Sequence, residues 1–160
     1  MSKGGVIDNV EFAKSGRQLE GRLGLPGLSR AADLLLEADV GYQLTGSVGS
    51  RGELLLRLRL NGAIGVRCER CLDAMRVPLT QETVFELRRD EQSISADDMV
   101  DDARDFLVFD RAMSVADLIE DELILGIPVA PKHADCELAG RTMQDDGRRQ
   151  PFGVLASLKK

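Results

Sequence analysis

Apolar and polar residues alternate most regularly between positions 54 and 68. Leu54, Leu56, Leu58 and Leu60 share one parity while Arg57 and Arg59 take the other, a period of two that predicts a strand with one buried face. Asn61-Gly62 follows, and both residues tolerate positive φ, so the pair predicts a two-residue hairpin turn. The return strand then carries Ile64, Val66 and Cys68 on the apolar side, with Arg67 facing away. A third strand is predicted from Arg76 through Val77 and Leu79 to Thr83, Phe85 and Leu87. Connections this short leave no room for crossovers and imply antiparallel order. Upstream, Gln18 to Leu25 reads as a strand, Pro26-Gly27 and Ser50-Arg51-Gly52 as turns, and Gly41 to Ser47 as a more polar strand. Glu11 to Arg17 predicts a short helix, and Leu28 to Leu36 another that opens at Ser29. Phe106 to Asp110 reads as a short strand that rejoins the sheet.

The pattern changes to a period of three and four after Ser114. Val115, Leu118, Ile119, Leu123 and Gly126 fall on one helix face, Ser114 with Asp117 three residues later makes an N-cap, and Gly126 with Pro128 ends the helix. Asp117, Glu120 and Asp121 are expected on the wet face. Glu122 breaks the stripe, because it lies on the apolar side four residues from both Leu118 and Gly126. A bare carboxylate there would cost several kcal/mol, so it predicts an ion pair with an arginine of the sheet, or a site for a partner or a metal. The fold class that follows is α+β, an antiparallel sheet packed against a helix of the C-terminal half.

A chain of 160 residues suits a single domain spanning 1–160. Within it, Asp90 to Asp105 holds seven acids against Arg104 alone, which equals the net charge of −6. This stretch is expected to be a mobile acidic linker, 137–150 a loosely ordered segment, and the remainder an extended C-terminal tail. Outside the linker the charges balance at 20 basic and 20 acidic side chains, so the basic surplus of a protein that grips nucleic acid through phosphates is missing. Small basic faces remain at Arg67, Arg70 and Arg76, and at Arg148, Arg149, Lys159 and Lys160. No stretch has the length of a membrane span, and the N-terminal residues lack the apolar run of a signal peptide, which predicts a cytoplasmic protein.

The chemistry-bearing residues are few. Three cysteines, an odd number, argue for reduced thiols rather than a disulfide framework. Cys68-Glu69-Arg70-Cys71 is a C-x-x-C flanked by strands, the context of a zinc knuckle rather than of a helix-borne redox pair. Zinc needs four ligands, and His133 and Cys136 are the only completions the chain offers. Structural zinc, plain thiols in a tight turn, and redox work all remain open at this point. No phosphate loop, no G-x-S-x-G and no second histidine are present, so an enzyme is not expected.

The segments VRCERCLDAMRVPL, VADLIEDELILGIPVAPKHADC and QPFGVLASLKK, in that order and with an acidic spacer between the first two, resemble the YceD family of large ribosomal RNA subunit accumulation proteins. The resemblance runs from Val66 to the C-terminus. Its first motif falls on Cys68, Arg70 and Cys71, and its helix motif on Asp117, Glu122 and Leu123. The exit falls on Pro128, Pro131, His133 and Cys136, and the ending on Pro151, Phe152 and Leu155. It implies an accessory role in the synthesis, processing or stability of large-subunit ribosomal RNA, with no assigned catalysis. The partners it implies are a ribosomal protein or assembly factor, or the large-subunit rRNA precursor, with no membrane and no small-molecule substrate. The readings from another class are a thiol oxidoreductase using Cys68 and Cys71, and a zinc-stabilised interaction module unrelated to RNA.

Overall fold

A computed structural model describes residues 5–93 and 104–137. Long stretches of alternating residues form a meander: β2 (Gln18–Gly24), β3 (Glu37–Val48), β4 (Leu54–Arg67) and β5 (Ala74–Arg88), each antiparallel to the one before. Ahead of them stand β1 (Val6–Ile7) and the short helix α1 (Asn9–Lys14). After them come β6 (Asp105–Val108), β7 (Met113–Ser114) and the helix α2 (Val115–Gly126). The five-stranded sheet has the order β2-β3-β4-β5-β6, and β1 pairs with β7 in a separate ribbon at the start of α2. The architecture is α+β.

The expected hairpin turn at Asn61-Gly62 is not a turn. Strand β4 runs straight through it, with Asn61 opposite Gly41 on one side and Thr80 on the other. Parity gives the reason. A two-residue turn would pair Leu60 with position 63 and swing Ile64 and Val66 to the face opposite Leu58 and Leu60. An unbroken strand keeps Leu56, Leu58, Leu60, Ile64 and Val66 on one face, and all five are buried. Gly62 has another task there: at φ 147° it admits the β3 backbone so closely that a Cβ would stand 2.1 Å from the Asp39 carbonyl oxygen. The true β4–β5 turn is Cys68 to Asp73, closed by the Cys68 amide on the Asp73 carbonyl at 2.9 Å.

Two further expectations change. Leu28 to Leu36 forms consecutive turns rather than a helix. Leu28, Ala31 and Leu35 all reach the core, which creates helical spacing, but the Arg30 and Ala31 amides bind Glu120 and the Leu36 amide binds the Gly65 carbonyl. Those tertiary bonds draw the backbone away from a helical path. Strand β6 also departs from antiparallel order: it lies parallel to β5, with Phe85 opposite Asp105 and Arg88 opposite Val108. The connection through 89–104 is long enough for the crossover that a parallel neighbour needs. Of the acidic stretch, Glu91–Ser93 forms a single 3-10 turn and Asp105 begins β6, while 94–103 and the C-terminal 138–160 lie outside the described residues. The short helix predicted at Glu11 to Arg17 sits slightly earlier, capped by Asp8, whose carboxylate accepts the Glu11 amide at 3.0 Å.

The core lies between the sheet's inner face and the helices. Val40, Leu44, Leu56, Leu58, Leu60 and Ile64 from the sheet meet Val115, Ile119 and Leu123 of α2, with Phe12 and Ala13 of α1 closing one end. Each such burial stabilises by about 1.5–3 kcal/mol relative to exposure. Helix α2 begins at Ser114, whose hydroxyl accepts the Asp117 amide at 3.2 Å, and ends at Gly126 beside Leu79 and Gln81 of β5. No helix among the described residues is long and apolar enough to cross a membrane.

Candidate metal centre

The β4–β5 turn and the segment leaving α2 meet at one end of the sheet. The Glu69 amide donates to the Pro131 carbonyl at 2.8 Å, and the Arg70 guanidinium donates to the Cys136 carbonyl at 2.8 Å. These two bonds bring Cys68 and Cys71 against His133 and Cys136, and the four ligand atoms all lie within 4.8 Å of one another. Cys68 Sγ stands 3.6 Å from Cys136 Sγ, and Cys71 Sγ stands 3.4 Å from His133 Nδ1. None of the three cysteines is in a disulfide.

The turn is wound so that its amides face sulfur. The Arg70 amide donates to Cys68 Sγ at 3.4 Å, and the Leu72 amide bonds the Cys68 carbonyl at 3.0 Å. Closing the turn places Leu72 at φ 67°, a left-handed conformation that costs a leucine about 1–2 kcal/mol. Burial pushes the Cys68 thiol up, but the amides of Cys71, Arg70 and His133, with the Cys71 side chain, outweigh it and hold the thiol well below its ordinary value. At Cys71 the Asp73 amide acts downward, while burial and the sulfurs of Cys68 and Cys136 push the thiol upward. Three thiols and one imidazole converging this way could hold a metal ion.

A concavity of about 670 Å³ opens at Cys71, His133 and Cys136 and is walled by Asp73, Asp135 and Glu137. Another of about 670 Å³ lies elsewhere, between Arg51, Glu53, Glu86, Arg104 and Phe106. Its polar groups are bound to each other: Arg104 reaches the buried Glu86 carboxylate at 2.9 Å, and Glu53 accepts the Arg51 amide at 2.8 Å. The chemistry belongs to the cysteine cluster.

The remaining residues singled out in the sequence are dispersed. Arg70 braces the cluster as described, and Pro131 does so through its carbonyl. Pro128 is exposed beyond the helix end. Asp117 serves the cap with its amide, and its carbonyl accepts from Arg30 at 2.9 Å. Glu122 is buried as expected, but its partner is not an arginine: Glu122 Oε2 accepts from Gln81 Nε2 at 2.8 Å and from the Thr83 hydroxyl at 2.5 Å. Gln81 and Thr83 share the inner face of β5 with Leu79 and Phe85, so a polar gap in the sheet matches a polar gap in the helix. Phe152 and Leu155 lie outside the described residues.

Glu120 overturns its expected wet placement. It is 2% exposed, on the flank of α2 opposite Glu122, and accepts the Ala31 amide at 2.8 Å and the Arg30 amide. Sequence periodicity missed it because the turns at 28–36 cover that flank. It missed Asn9 too, fully buried, whose amide side chain joins the Val108 carbonyl and the Asp110 amide at 2.9 and 3.0 Å. An asparagine at the start of a short helix carries no periodic signal that would reveal such a bridge.

Neither the curated proteins nor the solved structures hold a significant match to the chain. The family model described as large ribosomal RNA subunit accumulation protein YceD matches residues 56–159. That span takes in most of β4, the cysteine turn, α2 and its exit, and the chain belongs to the YceD family.

Proposed function

We propose that the protein is an accessory factor in the synthesis, processing or stability of large-subunit ribosomal RNA, working in the cytoplasm by binding rather than by catalysis. The family match over 56–159 carries this reading, since the family is named for accumulation of that RNA. The partner it favours is a basic ribosomal protein or assembly factor. A net charge of −6 draws such a partner and disfavours direct, tight contact with phosphates. On the sheet's outer face the arginines are largely matched already. Arg57 and Arg59 share Glu82, Arg22 pairs with Asp39 at 2.6 Å, and Arg76 lies 3.6 Å from Glu37.

A thiol oxidoreductase is the competing reading, and the C-x-x-C spacing of Cys68 and Cys71 favours it. Against it, Cys68 has no exposed surface for a substrate disulfide to approach, and the C-x-x-C sits on a strand-to-strand turn rather than a helix N-terminus. Two measurements test the proposal together. Removing the gene should lower mature large-subunit rRNA relative to small-subunit rRNA, and the tagged chain recovered from growing cells should bring down a basic ribosomal or assembly protein. Unchanged rRNA ratios would sink the reading, and recovery of pre-rRNA that survives high salt without such a protein would replace the partner with RNA.

A further inference from the structure

We propose that Cys68, Cys71, His133 and Cys136 hold one structural zinc ion, through three thiolates and His133 Nδ1, and that this ion clamps the exit of α2 to the β4–β5 turn. The distances fit a single tetrahedron. With Zn–S of about 2.3 Å and Zn–N of about 2.0–2.1 Å, two sulfurs on one zinc stand about 3.8 Å apart, and a sulfur and a nitrogen about 3.6 Å apart. The Cys68–Cys136 and Cys71–His133 separations are 3.6 and 3.4 Å. A chain of thiol hydrogen bonds requires only successive neighbours to touch. Here all four ligand atoms are mutually within 4.8 Å, which is the property of a shared centre.

The surroundings agree with the ligand set. The Arg70 amide on Cys68 Sγ supplies the outer hydrogen bond that orients a metal-bound thiolate. The left-handed Leu72 is local strain kept where the turn must aim two sulfurs at one point. The concavity beside Cys71, His133 and Cys136 leaves an entry path for the ion. Three thiolates with one imidazole select zinc over the harder magnesium and calcium, and ligand atoms mutually within 4.8 Å suit a single ion rather than the wider ligand span of an iron–sulfur cluster.

The consequence is mechanical. Cys68 and Cys136 lie 68 positions apart, and between the helix end at Gly126 and Cys136 the segment makes few other bonds to the sheet. The ion therefore reinforces the Glu69–Pro131 and Arg70–Cys136 bonds in holding that segment to the turn, while the sheet and α2 keep their own core.

Elemental analysis of the full chain, purified without chelator and without metal-affinity resin, should find about one zinc per chain. Replacing zinc by cobalt(II) should give the visible bands of a tetrahedral, thiolate-bound ion. Cys136→Ser should weaken zinc retention against a competing chelator by at least about tenfold while the far-UV spectrum stays that of the folded sheet. The wild-type readings stand even if that variant fails to fold. Less than about a tenth of an equivalent after incubation with a zinc salt, with Cys71 and Cys136 open to alkylation in the folded chain, overturns the proposal. So does a cobalt spectrum of octahedral type. None of these readings depends on ribosomal RNA, so the metal site and the functional proposal fail separately.

Discussion

Glu120 Oε1 accepts the amide of Ala31 at 2.8 Å, and the same oxygen takes the amide of Arg30. An acid of α2 thus closes the backbone of a segment that has no helix of its own to satisfy it. Arg30 completes the arrangement from outside, reaching Glu120, Asp121 and the Asp117 carbonyl with its guanidinium.

Removing that carboxylate should be costly. Glu120→Ala strands two amides in a buried place and should destabilise by on the order of 3 kcal/mol. Glu120→Gln keeps one acceptor oxygen and should lose less. Urea unfolding of the two variants checks the order. Equal, small losses would mean that water replaces the carboxylate without penalty.

The same group sets a pH dependence. Burial pushes the Glu120 carboxyl up, but the Ala31 and Arg30 amides and the Arg30 guanidinium outweigh it, leaving it below its ordinary 4.5. The folded chain therefore holds this proton less tightly than the unfolded chain. The stabilisation is complete above pH 4.5 and drains away as the pH falls through the lower folded value. Stability measured downward from that point should fall more steeply for the wild type than for Glu120→Gln. Parallel curves would remove Glu120 from the acid response.

Glu122 should matter less than Glu120. Its partners Gln81 and Thr83 are neutral and share one oxygen, which Glu122→Gln preserves as an amide oxygen able to accept from both, so a loss under about 1.5 kcal/mol is expected. Glu122→Ala should cost about 1–3 kcal/mol. Paired thermal melts decide it, and a larger loss for Glu122→Ala than for Glu120→Ala would reverse the ranking.

Gly62 tests the unbroken strand. Gly62→Ala puts a methyl 2.1 Å from the Asp39 carbonyl oxygen, backbone that cannot swing aside, and should cost about 3 kcal/mol or more. Gly52→Ala, at φ 85° with open space around it, meets only the left-handed penalty of about 1–2 kcal/mol. If residues 61 and 62 were a surface turn instead, the two substitutions would cost alike in denaturant melts.

Asn9 holds α1 to the approach of α2 across about a hundred positions, through the Val108 carbonyl and the Asp110 amide. Asn9→Ala should destabilise by about 1–3 kcal/mol. Asn9→Asp should be worse, because a carboxylate then faces the Val108 carbonyl. Thermal unfolding of both variants at neutral pH would show it, and an aspartate tolerated better than alanine would contradict the hydrogen-bond assignment.

What the sequence alone determined was whatever depends on neighbours in the chain. The alternation from Leu54 to Leu60, the stripe from Val115 to Leu123, the Ser114 cap and the C-x-x-C at a turn are local patterns, and local sterics and burial suffice to produce them. Parity even contained the continuation of β4 through Asn61-Gly62, since Ile64 and Val66 could stay beside Leu60 only in an unbroken strand. The turn chemistry of that dipeptide spoke louder than the face count. The tertiary structure decided the rest, because it concerns groups that nothing local pairs. Which acid of α2 is buried depends on the 28–36 turns that cover one flank and on Gln81 and Thr83 beneath the other. Whether four ligands meet depends on the path from Gly126 to Cys136, set by bonds such as Glu69 to Pro131 that join distant segments. A single chain of letters records spacing along the backbone, whereas burial and convergence are properties of surfaces that exist only once the sheet and helix have packed.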